Sequence, residues 1–283
     1  MTDLVESWQY RALLVNFIRR DLKVRYKNSF LGFAWSLLNP LCQMLVYVLV
    51  FRYLYPVPTP NYSVKLLVAM LPWLFFSQAL MDGASSVASQ VFLLKKVYFP
   101  RLLIPMATMG SNLVHFFLGL AVLAAYLALR GVTVQWVNMP LVVVGLLLQT
   151  TFLFGLVLLT SAVCVYYNDI KFMLGTIVQM WLFLSPVMIP PELALHGIES
   201  RGLPAFAKAL YMLNPMAPPL IAYRSLIPQE TGANGGNNYL TLMGHLVPNL
   251  STYYYLCAAI SLVVLVIGFL VFRRLQWHFA EQG

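Results

Sequence analysis

Six Lys and Arg residues lie between Arg11 and Lys27. On a helical wheel Arg19, Arg20, Lys23 and Lys27 share one face, while Val15, Ile18, Leu22 and Tyr26 share another. A guanidinium binds phosphate through paired, parallel hydrogen bonds, whereas an ammonium acts as a point charge. A basic amphipathic helix of this kind has two uses. It anchors a chain on an anionic membrane surface. It also offers Arg19, Arg20, Lys23 and Arg25, with Tyr26 beside them, to a phosphate-bearing lipid arriving at a gate. The residue pattern suits both uses. Phe17 and Val24 interrupt the charged face, so the helix is also expected to touch protein.

A second set of polar residues sits inside apolar sequence. Gln78, Asp82, Ser85, Ser86 and Ser89 recur at helical spacing, as do Thr108, Asn112 and His115. A carboxylate near the bilayer centre costs roughly 2.5–3.5 kcal/mol on insertion scales. Asp82 is therefore expected to avoid lipid. Either it lines a water-accessible path, or neighbours such as Gln78 and Ser86 satisfy it. Gln78, Asp82, Ser86, Asn112 and Arg224 join the basic helix as candidate substrate or gate residues. A third set is the loop LLKKVYFPRLLIP at 93–105, where Lys95, Lys96 and Arg101 flank Tyr98, Phe99 and Pro100. Pro100 forces a bend and Pro105 restarts a helix. A short, stiff element with basic and aromatic groups is well shaped to dock a partner.

Other chemistry is missing. The chain has no G-x-x-x-x-G-K-[ST] loop, no G-x-S-x-G and no H-E-x-x-H. Its acids outside apolar sequence are few, and only Asp169 and some Glu residues could serve a membrane enzyme. Cys42, Cys164 and Cys257 lie in apolar runs and read as buried free thiols, with neither metal-site nor disulfide spacing. No metal or cofactor is expected on this chain. An enzyme is disfavoured, and the residues suggest a conduit.

The elements that must position these residues are membrane helices. Of 283 residues, 60% are hydrophobic and 10% charged, against about 25% charged in soluble proteins. Mean hydropathy is +0.77. The fold class expected is an all-α integral membrane protein. Six apolar windows approach or exceed the roughly 20 residues of a span: 31–53, 64–90, 102–129, 137–166, 171–190 and 251–272. With both ends cytoplasmic, twelve of the eighteen Lys and Arg fall inside, as the bias of cytoplasmic loops requires. The net charge of +9 then reflects topology, not nucleic acid. The opening MTDLVESWQY does not read as a cleaved signal peptide.

The layout expected is one domain over 1–283. It comprises an interface helix at 7–28, five spans within 31–190, a long outer segment at 191–250 and a sixth span at 251–272. The stretch 203–227 is apolar but broken at Asn214–Pro215 and Pro218–Pro219, so its halves read as re-entrant or interfacial helices. The run GANGGNN follows at 232–238. Aromatic residues near the ends of the spans read as interfacial belts, and some suit stacking on sugars.

Four segments resemble the permease subunit of ABC-2 type exporters that move polysaccharides such as O-antigen, capsule and teichoic acid. They are IRRDLKVRYKNSFLGFAWSLLNP at 18–40, MLPWLFFSQAL with LLKKVYFPRLLIP at 70–80 and 93–105, YYNDI at 166–170, and YMLNPMAPPLIAYRSLI at 211–227. The resemblance implies a homodimer in the bacterial plasma membrane, bound to two separate ATPase subunits that carry ATP and magnesium. It implies that the N-terminal helix is a cytoplasmic gate and that the Lys95–Arg101 loop, with Asp169, docks on the ATPase. It implies re-entrant helices after the fifth span and an undecaprenyl-linked glycan as substrate. The family's YxRD-like pattern reads YYND here, with Asn168 in place of the base. Competing expectations are an ABC-2 permease for a drug or simple lipid, a glycan-processing membrane enzyme, and a secondary transporter, for which inverted repeats would be expected.

Overall fold

The computed structural model describes residues 10–26, 34–50, 62–96, 99–167, 169–228, 239–247 and 249–279. All regular elements among them are helical. In chain order they are α1 (Arg11–Tyr26), α2 (Ala34–Val48), α3 (Tyr62–Ser86), α4 (Val91–Lys96), α5 (Leu103–Leu129), α6 (Met139–Cys164), α7 (Ile170–Leu184), α8 (Pro191–Ser200), α9 (Ala205–Met212), α10 (Ala217–Arg224), α11 (Tyr239–Leu246) and α12 (Leu250–Leu275). Trp8, Lys27, Tyr53, Tyr55, Tyr98, Asn168 and the run 232–238 lie outside the described residues.

Among the described residues, four segments are long and apolar enough to cross a membrane: α3, α5, Trp136–Cys164 (which includes α6) and α12. As described, α2 and α7 have 15 residues each. That is about 22 Å at 1.5 Å per residue, short of a hydrocarbon core of about 30 Å. The window expected to run to 190 stops at Leu184 for a local reason. Pro186 disfavours helix at the residue before it, and Ser185 is extended at φ −102°, ψ 150°.

At the centre is α3. Nearly every residue from Tyr62 to Phe76 is buried, so it reads as a post surrounded by other helices. Its aromatic rings lock its neighbours in place. Phe76 stacks on Phe152 of α6 at 6.1 Å and meets Trp181 of α7 edge-on at 5.3 Å. Phe75 stacks on Phe116 of α5 at 4.9 Å. Pro72 lies inside α3, and the buried Gln149 side chain donates to its carbonyl at 2.7 Å.

The most intimate helix pair is α6 and α12. A Cβ on Gly155 would sit 2.6 Å from the Leu265 amide nitrogen, and one on Gly268 would overlap the Gly155 carbonyl oxygen. Small residues let the two backbones touch, and close van der Waals contact is what joins helices where lipid removes the hydrophobic drive.

The segment after α7 is built from short helices, as its prolines demand. The chain turns at Asn214–Pro215, but Pro218 and Pro219 do not break it again. They occupy the first turn of α10, where a missing N–H is no loss. All eight residues of α10 are buried, and it packs on α6 and α3. Between α8 and α9, Lys208 donates to Glu199 at 2.9 Å and holds that carboxyl below its usual range. Cys164 and Cys257 are buried, but Cys42 is exposed. It shares an outward stripe with Leu38, Leu45 and, just past the end of α2, Leu49, an apolar surface that no described residue covers.

Candidate functional site

The N-terminal helix is docked against protein along a stripe at spacing 4-3-4: Leu14, Ile18, Asp21 and Arg25. Ile18 lies against Gly110 of α5, where an added Cβ would come within 2.7 Å of it. Leu13, Leu14 and Phe17 pack into a cluster with Phe99, Leu103, Phe272 and Phe279. Phe17, which spoils the wheel, meets Phe99 edge-on at 5.5 Å. Val15, expected on the apolar face, is exposed.

At the end of this stripe Arg25 crosses to two other helices. Its Nη2 pairs with the Asp82 carboxylate of α3. Its Nη1 donates to Asn112 Oδ1 of α5 at 3.3 Å. Asn112 Nδ2 in turn donates to Asp82 Oδ2 at 3.1 Å and to the Thr108 carbonyl at 3.0 Å. His115 is within electrostatic reach of both charges. Three residues singled out separately in the sequence thus form one cluster. The partners expected for Asp82, Gln78 and Ser86, are not the ones it takes. Ser86 is buried and donates to the Gly83 carbonyl of its own helix at 2.7 Å, and Gln78 is exposed. Nor is Asp82 at mid-span. It lies one turn before the end of α3, where an interfacial Arg can reach it.

The other bases differ in surroundings. Arg19 and Lys23 are exposed. Arg20 donates to Asp21 at 2.9 Å and lies over the Phe17 ring, 4.9 Å from its centroid. The side chain of Tyr26 lies outside the described residues.

The docking loop divides in two. Lys95 and Lys96 end α4 and are exposed, with Lys96 Nζ 4.1 Å from the Phe92 centroid. Phe99 is buried against α1, so its ring is not offered outward. The carbonyls of Pro100 and Arg101 accept from Leu103 and Ile104 and start α5. The exposed Asp169 starts α7, its carbonyl accepting from Phe172 and Met173.

Arg224 stands apart. It is buried at the end of α10 and donates from Nη2 to the Val187 carbonyl at 2.8 Å, in reach of Tyr62 at the start of α3. Twenty residues of α3 separate Tyr62 from Asp82, about 30 Å at helical rise. Arg224 and Arg25 therefore serve opposite ends of the molecule.

Between α2, α3 and α7 is a cavity of about 210 Å³ lined by Gln43, Tyr47, Trp73, Ser77 and Gln179, among others. Met70, Leu74, Val178, Leu182 and Val187 also line it, so the cavity is mostly apolar with a few amides and hydroxyls set into it. Sequence reading took Gln78 from α3 and missed its neighbour Ser77. Gln43 and Tyr47, four apart on an apolar helix, were the available signal.

Residues 12–227 match the family model described as ABC-2 type transporter. The chain is 32% identical over 277 residues to the O-antigen export system permease protein RfbA of Myxococcus xanthus, covering 98% of this chain and 97% of that protein. It is 27% identical over 272 residues to a protein of the same description from Klebsiella pneumoniae, covering 95% and 94%.

Proposed function

Because the chain belongs to the ABC-2 type transporter family, we propose that it is the transmembrane permease subunit of an ATP-driven exporter of a lipid-linked polysaccharide. The observation that carries this reading is the basic helix α1 fastened by Arg25 to Asp82 and Asn112, across the ends of two membrane helices. The full-length likeness to two O-antigen export permeases supports the glycan as cargo.

In this reading the chain is a single membrane domain in a bacterial plasma membrane, working as a homodimer with two ATPase subunits that bind ATP and magnesium. The residues α1, Lys95, Lys96, Asp169, Arg273 and Arg274 face the cytoplasm. The interior cluster that joins α1 to Phe99, Tyr166, Phe272 and Phe279 supports placing these segments at one end of the bundle. In the complete layout α2 and α7 serve as first and fifth spans, and α8 to α10 form the outer, re-entrant segment. ATP binding moves the Lys95–Arg101 loop, and the undecaprenyl-linked glycan passes outward between two permease copies.

The test is biochemical. The purified chain in lipid nanodiscs is expected to hydrolyse no ATP until its partner ATPase is added. A strain lacking the gene is expected to lose surface glycan and regain it with the gene. Sustained hydrolysis by this chain alone overturns the assignment.

A further inference from the structure

We propose that Asp82 occupies, at rest, the place on Arg25 that a lipid-linked phosphate takes when substrate arrives. The inference rests on the reading of α1 as a threshold for that substrate. It adds a specific exchange: one anion, built into α3, is replaced by another carried on the lipid.

The chemistry is that of a shared acceptor. A carboxylate and a phosphate both present oxygens in the plane and spacing that a guanidinium fork and an amide N–H can meet. Asp82 Oδ2 receives Arg25 Nη2 and Asn112 Nδ2 together, so one oxygen already collects two donors from two helices. The phosphate that joins a lipid to a glycan is esterified on both sides; a pyrophosphate link presents four unbridged oxygens and about two negative charges, and these engage the Arg25 fork more strongly than one carboxylate. The exposed Arg19 and Lys23, on the preceding turns of α1, add attraction for a doubly charged group.

Exposure makes the exchange feasible. The Arg25 and Asp82 side chains are 32% and 40% exposed. A pair this open to water or head groups is held weakly, whereas a fully buried pair resists separation because each charge would be left stranded. Asp82 is also not abandoned when Arg25 leaves. It keeps Asn112 Nδ2, which the Thr108 carbonyl holds in place, and His115 remains in reach.

Release has a mechanical consequence. The N-terminal half of α1 is held by Leu13, Leu14 and Phe17 in an apolar cluster, while its last turn is tied down through Arg25. Losing that tie lets α1 lift from Ile18 onward, so that Ile18 leaves Gly110, while Leu13, Leu14 and Phe17 keep the start of the helix docked. Asn112 is a positioning residue here, setting the Asp82 oxygen in front of Arg25.

The contact between Ile18 and Gly110 reports the docked state. The full-length chain carrying Ile18→Cys and Gly110→Cys is placed in phosphatidylcholine nanodiscs and treated with a short thiol crosslinker, with the single variants as controls for the native thiols. Adding a long-chain polyprenyl phosphate is expected to reduce crosslinking severalfold, and the matching polyprenol is expected to leave it unchanged. Inorganic phosphate that lowers crosslinking as well supports the exchange and assigns recognition to the phosphate. Inorganic phosphate without effect, beside an active polyprenyl phosphate, supports it and assigns recognition to the lipid form. Asp82→Asn is expected to lower crosslinking before any lipid is added and to blunt the response.

A second measurement needs no cysteine variant. Amide hydrogen exchange in the last two turns of α1 is expected to speed up on adding polyprenyl phosphate. Crosslinking and exchange that ignore the lipid, in a chain that restores glycan export to a deletion strain, overturn the anion exchange and leave the permease reading standing. Failure to restore export overturns the permease reading itself.

Discussion

Asn214 shows how one side chain can close a bend. Its Oδ1 accepts from Trp181 Nε1 and from the Met216 amide, both at 3.0 Å. Its Nδ2 donates to the Leu184 carbonyl at 3.2 Å and to Ser185 Oγ at 2.9 Å. Both donors and both acceptor positions of the amide are thus used, and they tie the end of α7 to the start of α10. Asn214→Leu is expected to strand these groups and destabilise the protein by about 1–3 kcal/mol, read as a lower melting temperature in detergent. An unchanged melting temperature would show that water replaces the amide. Phe17 supports a different prediction. The ring pair adds about 0.5–1.5 kcal/mol beyond burial and Phe17 is only partly buried, so Phe17→Ala is expected to loosen α1 while the chain still inserts and binds a partner ATPase. Because Phe17 joins α1 to the Phe99 loop, ATP hydrolysis in that variant is expected to continue while surface glycan falls. Wild-type export would mark the contact as packing alone.

At the scale of elements, the backbone contact of α6 with α12 makes the sharpest demand. Gly268→Leu must push a side chain into the Gly155 carbonyl. Overpacking a well-packed site costs about 1–3 kcal/mol, and a backbone obstacle places this variant at the upper end. A large loss of the monodisperse peak on size-exclusion chromatography is expected, with Gly175→Ala as a tolerated control, since a Cβ there meets only Met81 at 3.8 Å. The pair itself was not legible in the sequence, because 113 residues separate the two glycines. The long spans were legible, since length and apolarity alone define them. The early end of α7 was readable from Ser185–Pro186 but was hidden by continuing apolar sequence. The cluster of Arg25, Asp82 and Asn112 was half legible. Asp82 and Asn112 were conspicuous as polar residues in apolar helices, but Arg25 is 57 residues from Asp82, and periodicity within one helix says nothing of such a partner. Phe17 broke the wheel and pointed to a protein contact, which it makes with Phe99, but the wheel gave no sign that Arg25 belongs to the docked stripe.

Over the whole molecule, the bases of α1 separate into two kinds, and this decides what their removal should do. Arg25 fastens the helix to α3 and α5, and Ile18 seats it on Gly110. Arg19 and Lys23 are exposed, and Arg20 is partly neutralised by Asp21. Replacing Arg19, Arg20 and Lys23 together with Gln leaves the docking contacts in place, so membrane insertion and capture of the ATPase should be unaffected. What changes is the positive field at the mouth of the bundle. Each basic residue near an anionic surface adds to the attraction, and the effect fades within a Debye length of about 8 Å at physiological ionic strength. A phosphate-bearing lipid arriving at this end would meet a weaker field and fewer donors, so surface glycan is expected to fall severalfold. Restoring Arg20 alone should recover little, because its guanidinium is already engaged. Restoring Arg19 should recover more. Undiminished glycan in the triple variant, measured beside equal amounts of inserted protein, would leave α1 as an anchor held by Arg25 and the apolar cluster, with no part in receiving the substrate.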